Sequence, residues 1–552
     1  MKRPESPVAA QLPALDRRAL LRTGLLGAGL AAAPLSAQLG ARGFTHGVAS
    51  GEPGRDRVLL WTRYAAAQDV PLAFELSDTL DFARKLGGGT VTASPGNDGC
   101  CKAWATGLAP DRWYYYRFVA PDGSMSDTGR TRTLPDGPTA RFRMAVFSCS
   151  NLRFGWFNAY AHAAEAGDFD LALHLGDYFS EYAADTYPPP GEPVAGRNIA
   201  PDNEIVALAD YRLRHASYRA DRDLQRLTQL YPMIFTWDDH ESANDSWKGG
   251  AQNHQPETEG PWDMRKAAAM RAYREWLPVS DEPYATYEIG DLATLFRLET
   301  RLTGRDEPFD FAAILAGKAT PQAALAALTS FREGAWRDPA RSMLGAAQER
   351  WLSDGFARSV RGGTRWQVLV NQVLMGSFGF SPEFVAAGAA GTPAQYRTRL
   401  AATTAVAATG LPASMDMWDG YPAARDRLLA SAQEAGANLV VLAGDSHNAW
   451  GFELEARGAP AGVEFGGTSV TSPGFETTLA WVPTRDFERA AVRDNPQLKW
   501  ADFSHRGYMA VELTPTAATC EHRFLDTVRQ RSTALAGTHR MATAHGSNRF
   551  TT

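Results

Sequence analysis

Asp170-Leu-Ala-Leu-His-Leu-Gly-Asp-Tyr-Phe-Ser-Glu-Tyr182 is an apolar run that stops at Gly176-Asp177 and turns polar and aromatic at once. Its length and apolar content predict a buried strand rather than a helix. A carboxylate at the C-terminal end of such a strand stands where α/β sheets keep their ligand crevices. Gly-Asp after a strand is also an ordinary turn, so this stretch alone decides little. Two later stretches repeat the design: Tyr231–Glu241 reads Y-P-M-I-F-T-W-D-D-H-E, and Asn438–His447 reads N-L-V-V-L-A-G-D-S-H. Packing gives no reason for three apolar runs that each stop at Asp. Asp and His together suit hard or borderline metal ions.

Outward from these runs, strands and helices alternate. Arg141–Ser148, the Asp170 run, the run ending at Trp237, Trp366–Met375 and the Asn438 run are predicted strands, and Tyr284–Glu299 reads as two strands around Gly290-Asp291. Trp156–Ala166, Asp210–Leu230, Pro261–Leu277 and Ala424–Ala437 carry helical spacing. The alternation predicts a layered α/β catalytic domain over 140–530, followed by a C-terminal tail at 531–552. Residues 381–420 are rich in Gly and Pro and are expected to be loops at a site rim or lid. Before this domain, residues 44–136 contain short strand candidates at Arg57–Arg63, Pro71–Ser77 and Trp113–Val119. Turns at Gly87-Gly-Gly89, Pro95-Gly96 and Pro121-Asp122-Gly123 separate them, and the spacing predicts a small immunoglobulin-like β-sandwich.

Residues 1–37 form a targeting segment: Arg17-Arg18 precede Ala19-Leu20-Leu21, and a Gly/Ala-rich apolar run ends near Ser36-Ala37. The pattern resembles a twin-arginine signal, with a general secretory signal as the alternative. The expected partner is the twin-arginine export machinery and the expected location is periplasmic or secreted. No second hydrophobic span is present, so no membrane span is expected in the mature chain. With 44% hydrophobic and 21% charged residues and a formal charge of −6, the composition is that of a globular protein with no nucleic-acid-binding surface evident. Of the four cysteines, vicinal Cys100-Cys101 suit a mutual disulfide poorly, and a bond from either to Cys520 stays open.

Several residues can carry chemistry. Cys149 in F-S-C-S-N closes the first strand of the α/β region and is either a metal thiolate or a small buried hydrophobe. Asp177 can bridge two ions. Adjacent Asp238 and Asp239 would repel without a cation nearby. Asn244 can add an amide oxygen, and His240 can bind phosphate or protonate a leaving group. Asp445 and His447, two apart, have metal-ligand spacing. Arg301 can clamp a phosphate or close a salt bridge.

Taken together, F-S-C-S-N, H-L-G-D-Y, W-D-D-H-E-S-A-N and G-D-S-H-N-A-W resemble the metal-site motifs of the PhoD family of secreted alkaline phosphatases and phosphodiesterases, in the calcineurin-like metallophosphoesterase superfamily. Phe44–Pro53, Val58–Arg63, Arg341–Leu352 and His505–Tyr508 also look like that family. The resemblance implies a four-layer αββα catalytic domain and a centre of Fe(III) with Ca(II). It implies Cys149 as a thiolate ligand to iron, Asp177 as the bridge, and Asp239, Asn244, Asp445 and His447 as further ligands, with His240 beside them. One departure stands out. The family commonly has a tyrosine three residues after the aspartate, and Ser180 occupies that position here. Ser180, Tyr178 and Asp238 are therefore open as additional ligands.

The expected activity is that of a metal-dependent phosphoric ester hydrolase, an alkaline phosphatase with phosphodiesterase activity, in which a metal-bound hydroxide attacks phosphorus. Two alternatives remain: a phosphodiesterase or phospholipase D-like enzyme with little monoesterase action, and a secreted binding module whose metals are structural.

Overall fold

The computed structural model describes residues 42–389 and 397–551. Residues 1–37, the expected signal segment, and part of the 381–420 stretch lie outside the described residues. A nine-stranded sheet and a seven-stranded sheet face each other, and a four-stranded sheet lies at the N-terminal end.

The apolar runs become short strands, buried throughout except at Arg143. Phe142–Phe147, Leu171–His174 and Pro232–Phe235 lie parallel in the nine-stranded sheet, with Phe147, His174 and Phe235 in register at their C-terminal ends. In the facing sheet Ala293–Arg297, Trp366–Val370 and Leu439–Ala443 are also parallel, with Arg297, Val370 and Leu442 aligned through successive pairings. Residues of both sheets, such as Val146, Leu173, Val368 and Val440, fill one core between them. A second core joins the outer face of the first sheet to the helices Asn158–Ala166, Arg222–Leu230 and Trp262–Trp276. A third does the same for the second sheet with Gly345–Arg361 and Pro422–Ala435. This is the expected four-layer αββα arrangement. Strands buried on both faces need continuous apolar runs, which is how the sequence reads.

The N-terminal strands form a sandwich around Val58, Leu60, Phe74, Leu76, Ala103 and Phe118. It is not free-standing. Gly43–Gly51 pairs in parallel with Pro232–Phe235 through Ser50↔Pro232 and Gly51↔Met233. Three of its strands thus extend the catalytic sheet to nine.

Four expectations are corrected. Residues 531–552 are not a tail: Leu535–Ala544 is an edge strand paired along its length with Ala517–Leu525, and Met541 and Phe550 lie against the inter-sheet core. Gly87–Gly89 is not a turn but the middle of Lys85–Ala93. Glycine is needed there because a Cβ on Gly88 or Gly89 would press on Phe74 at 2.4 or 2.7 Å. Asp210–Leu230 is two helices, Leu208–Arg219 and Arg222–Leu230, since Asp221 caps the second through the amides of Asp223 and Leu224. The described part of 381–420 is largely helical, in Pro382–Ala389 and Arg397–Thr409. Val406, Leu411 and Met415 pack there with Leu328 and Phe331 of the helix Pro321–Glu333. The cysteines are free and buried. Cys520 lies in the inter-sheet core and Cys101 in the N-terminal sandwich, which leaves no bond between them.

Candidate metal centre

All the C-terminal strand ends named above open on one edge of the double sheet, and the predicted residues follow within a few positions. Cys149 comes after Phe142–Phe147, Asp177 after Leu171–His174, Asp238–His240 after Pro232–Phe235, and Asp445 and His447 after Leu439–Ala443. The turns are tight. Cys149, Asp177, Asp445 and His447 all have positive φ, between 54° and 60°. A non-glycine residue in that region is uncommon and costs on the order of 1 kcal/mol or more. Four in one cluster mark a site whose geometry overrides local preference. The preceding glycines permit the crowding: a Cβ on Gly176 would sit 2.4 Å from Asp238 Cβ, and one on Gly444 2.7 Å from Ser148 Cβ.

The donors form overlapping sets. Cys149, Asp177 and His447 can each bring one ligand atom within 4.8 Å of the others; Asp177, Asp239 and His240 do the same, as do Asp177, Asp238, Asp239 and Asp445. Asp177 belongs to all three. A thiolate, a carboxylate and an imidazole suit a softer transition ion, whereas four carboxylates suit a hard cation. His447 is oriented for ligation: its Nδ1 lies 2.9 Å from the Pro473 carbonyl, so Nε2 faces Asp177 Oδ2 at 3.9 Å. Burial lowers its pKa to about 4, which keeps the imidazole neutral.

Buried carboxylate oxygens without partners test whether a cation fits. Asp177 Oδ1 and Asp238 Oδ2 accept no hydrogen bond. Burial first, then neighbouring carboxylates, push Asp177 and Asp445 well above the usual range. Burial also raises Asp238, to about 6, although Arg301 opposes it. At Asp239 burial works against ionisation, yet Arg301 and His240 together hold the carboxyl below its usual value. Burial and then Asp177 likewise push the Cys149 thiol up. A cation among these groups would remove the repulsion and supply the missing partners. The residues present therefore fit a metal.

Around this shell lie residues that were not singled out from the sequence. Glu181, fully buried, accepts from the Asn244 amide at 2.8 Å and from Asn253 at 2.9 Å, and its other oxygen meets His240 Nδ1 at 2.5 Å. Burial alone would lower the His240 pKa, but Glu181, Asp177 and Asp239 more than reverse it and raise it well above 6.5. His240 is accordingly held as a charged donor at the site's edge. Glu241 braces two loops at once, accepting from the amides of Asp177 at 3.1 Å, Tyr178 at 2.6 Å and Asp238 at 2.7 Å. Glu181 lies in the opening quoted stretch, four residues after Asp177, in an otherwise largely aromatic loop. That was the available signal.

The remaining predicted residues are placed as follows. Tyr178 is turned into the core against His174, Phe235 and His215, with ring centroids 5.3, 5.9 and 6.0 Å away, so its phenol does not join the cluster. Ser180 is buried with an unpartnered Oγ, and its carbonyl accepts from Arg214. Tyr182 packs edge-on against His240 at 5.6 Å. Asn244 gives its side-chain amide to Gln252 at 3.1 Å. Arg301 is fully buried and bonded to Asp238 and Asp416, so its guanidinium presents no open face to a phosphate.

Comparison with known proteins agrees with this geometry. The model of the PhoD-like phosphatase matches residues 144–522, and that of the PhoD-like phosphatase N-terminal domain matches 29–135. Alkaline phosphatase D of Bacillus subtilis (strain 168) is 31% identical over 520 residues, covering 89% of this chain and 79% of that protein. A solved structure of PhoD superposes with a TM-score of 0.74 at 28% identity, covering 92% of this chain and 91% of that one.

Proposed function

We propose, from the premise that the chain belongs to the PhoD-like phosphatase family and is a phosphoric ester hydrolase, that it is an exported alkaline phosphatase with phosphodiesterase activity and an iron–calcium centre. The observation that carries this reading is Asp177 shared between a thiolate–imidazole set and a carboxylate set. In it Cys149, Asp177 and His447 would hold Fe(III), and Asp177, Asp239 and Asp445 would hold Ca(II), with Asn244 and Asp238 available as further oxygen donors. Bound ions would polarise the phosphoryl oxygens and activate water for in-line attack. His240, charged through Glu181, donates a hydrogen bond to a phosphoryl oxygen and gives its proton to the leaving oxygen. Glu241 keeps the Asp177 and Asp238 loops in register.

Export by the twin-arginine route rests on Arg17-Arg18. Among the described residues no helix is long and apolar enough to cross a membrane. Changing Arg17 and Arg18 to Lys should leave the protein in the cytoplasm, and normal export of that variant would refute the route. The test of activity is hydrolysis of an aryl phosphomonoester and an aryl phosphodiester by the exported protein, with metal analysis, before and after chelation. Both esters should be cleaved, with activity lost on chelation and restored by calcium or iron. Cleavage of the diester alone would make it a diesterase. Chelator-resistant cleavage, or none by fully metallated protein, would overturn the metal centre.

A further inference from the structure

Arg301 is the least expected group in the carboxylate cluster. Its guanidinium is among the largest fully buried side chains of the described residues, and it lies within 4 Å of four carboxylates: Asp238, Asp239, Asp416 and Asp445. Its Nε donates to Asp238 Oδ1, and its Nη1 takes both oxygens of Asp416 at 2.8 and 2.7 Å. Its Nη2 makes no hydrogen bond and points at Asp445 Oδ1, 3.5 Å away, and Asp239 Oδ1, 3.7 Å away. Arg305 grips the outer side of Asp416, donating to its carboxylate and, at 2.7 Å, to its carbonyl. Asp416 directly follows Met415, which packs in the helical cluster with Leu328 and Phe331. An outer carboxylate beside that helical cluster therefore holds a fixed cation against three inner carboxylates that could otherwise hold a metal ion.

We propose that Arg301, anchored from outside by Asp416, is a built-in positive charge of this centre, a positioning residue that fixes Asp238, Asp239 and Asp445 and limits how tightly their cluster takes a divalent cation. Charges this close in a buried place interact far more strongly than in water. Arg301 satisfies one oxygen of Asp238, leaves the other for a cation, and repels an ion that approaches Asp239 and Asp445 from its own side. It thereby favours loose, one-oxygen ligation over a closed carboxylate cage. The inference rests on the metal-centre reading above and adds a sign to it. Neutralising Arg301 should tighten divalent binding, whereas neutralising Asp416 turns more of the arginine's charge onto the inner carboxylates and should weaken it. A purely structural arginine would give loss in both cases.

The test is equilibrium dialysis of the whole exported protein against chelator-buffered calcium, with bound calcium measured and folding checked by circular dichroism. Arg301→Met should lower the calcium Kd at least about tenfold and slow turnover of the aryl ester, Arg301→Lys should stay within about threefold of wild type, and Asp416→Asn should raise the Kd at least about threefold. Shifts of the same sign in Arg301→Met and Asp416→Asn, or no shift in either, overturn the proposal. If Arg301→Met does not fold, Arg301→Gln takes its place: a lowered calcium Kd in that variant, opposite in sign to Asp416→Asn, supports the proposal, and an unchanged or raised one overturns it. Calcium binding by neither wild type nor Arg301→Met also overturns it. Chelator-resistant hydrolysis by wild type is the separate result that fails the metal-centre reading.

Discussion

Two carboxylate–histidine pairs in this molecule have nearly the same chemistry and very different surroundings. In Glu181–His240 the Nδ1–oxygen distance is 2.5 Å, with the histidine side chain 14% and the carboxylate 0% exposed; in Asp502–His505 it is 2.8 Å, with 44% and 17% exposed. Both histidines are raised above 6.5, His240 against a large opposing effect of burial and His505 chiefly by the Asp502 hydrogen bond. The first faces Asp177 and Asp239 and lies beside the metal ligands. The second sits on a loop at the end of Leu498–Asp502 and faces water. Proximity of an acid and a histidine is thus no sign of catalysis by itself. What sets the buried pair apart is that its carboxylate is fully buried and held by the distant residues Asn244 and Asn253 rather than by amides of its own loop, and that the charge it creates points at other charges.

The largest effect that tests this contrast is expected from Glu181→Gln. Losing the buried carboxylate removes what keeps His240 charged, so kcat should fall by about 10²- to 10³-fold on esters with poor leaving groups, and less on aryl esters. The pH profile carries the sign. With its pKa raised by carboxylates, wild-type His240 stays protonated to higher pH than a free imidazole and is lost as a donor only as pH rises through that raised value. In Glu181→Gln the alkaline limb should move to lower pH, with bound metal unchanged. A fall in activity with no shift of the limb would break the assignment of His240 as the proton donor.

Much of this site was legible because strand ends announce themselves. Asp177, Asp239, Asp445, His447 and Cys149 each follow an apolar run, and a buried parallel strand has few other ways to end in a carboxylate. The buried strands of a layered α/β domain were legible for the same reason, from runs too apolar for a half-exposed sheet, whereas the four-layer αββα stacking came only from the family resemblance. What stayed hidden depends on contacts across the chain. Glu181 meets His240 across 59 positions, and Asp416 meets Arg301 across 115. Asp416 lies in a Gly- and Pro-containing stretch that reads as loop, and its neighbours disclose nothing. The strand Leu535–Ala544 was missed because most of its residues are exposed or half-buried and no apolar alternation marks it. Gly87–Gly89 misled because glycine marks a turn when nothing crosses it, and here Phe74 does.

A smaller effect should come from Glu241, a third buried carboxylate that pairs with backbone amides instead of a histidine. Burial raises it to about 7 even though three N–H groups favour its charged form. Glu241→Gln keeps one acceptor oxygen but turns an amide nitrogen towards N–H donors. Leaving at least one of them unpaired should cost about 1–3 kcal/mol of stability, seen as a lower denaturant midpoint. Activity should fall through looser placement of Asp177 and Asp238, without the shift of the alkaline limb expected for Glu181→Gln. The same pH shift in both variants would erase the distinction between a carboxylate that charges a histidine and one that positions a loop.

The smallest effect belongs to the exposed pair, and its pH dependence is what makes it informative. Asp502→Asn keeps the oxygen that accepts from the Ser504 and His505 amides and removes the charge together with the oxygen nearest His505 Nδ1. His505 has a raised pKa in the fold, so its contribution is fully present below about pH 6.5 and is lost as pH rises through the folded value. Asp502 is the opposite case: burial raises it, but His505 and the amides lower it below 3.8, so its contribution is present above about pH 4 and lost as pH falls through the lowered value. The pair should therefore stabilise the protein only between those limits. Solvent screening keeps that contribution below about 1 kcal/mol. Urea midpoints of wild type and Asp502→Asn should differ slightly at pH 5.5 and converge at pH 9, while ester hydrolysis stays unchanged. A difference that persists at pH 9 would mean that Asp502 acts through its loop rather than its charge, and a loss of hydrolysis would bring this second pair into the same class as the first.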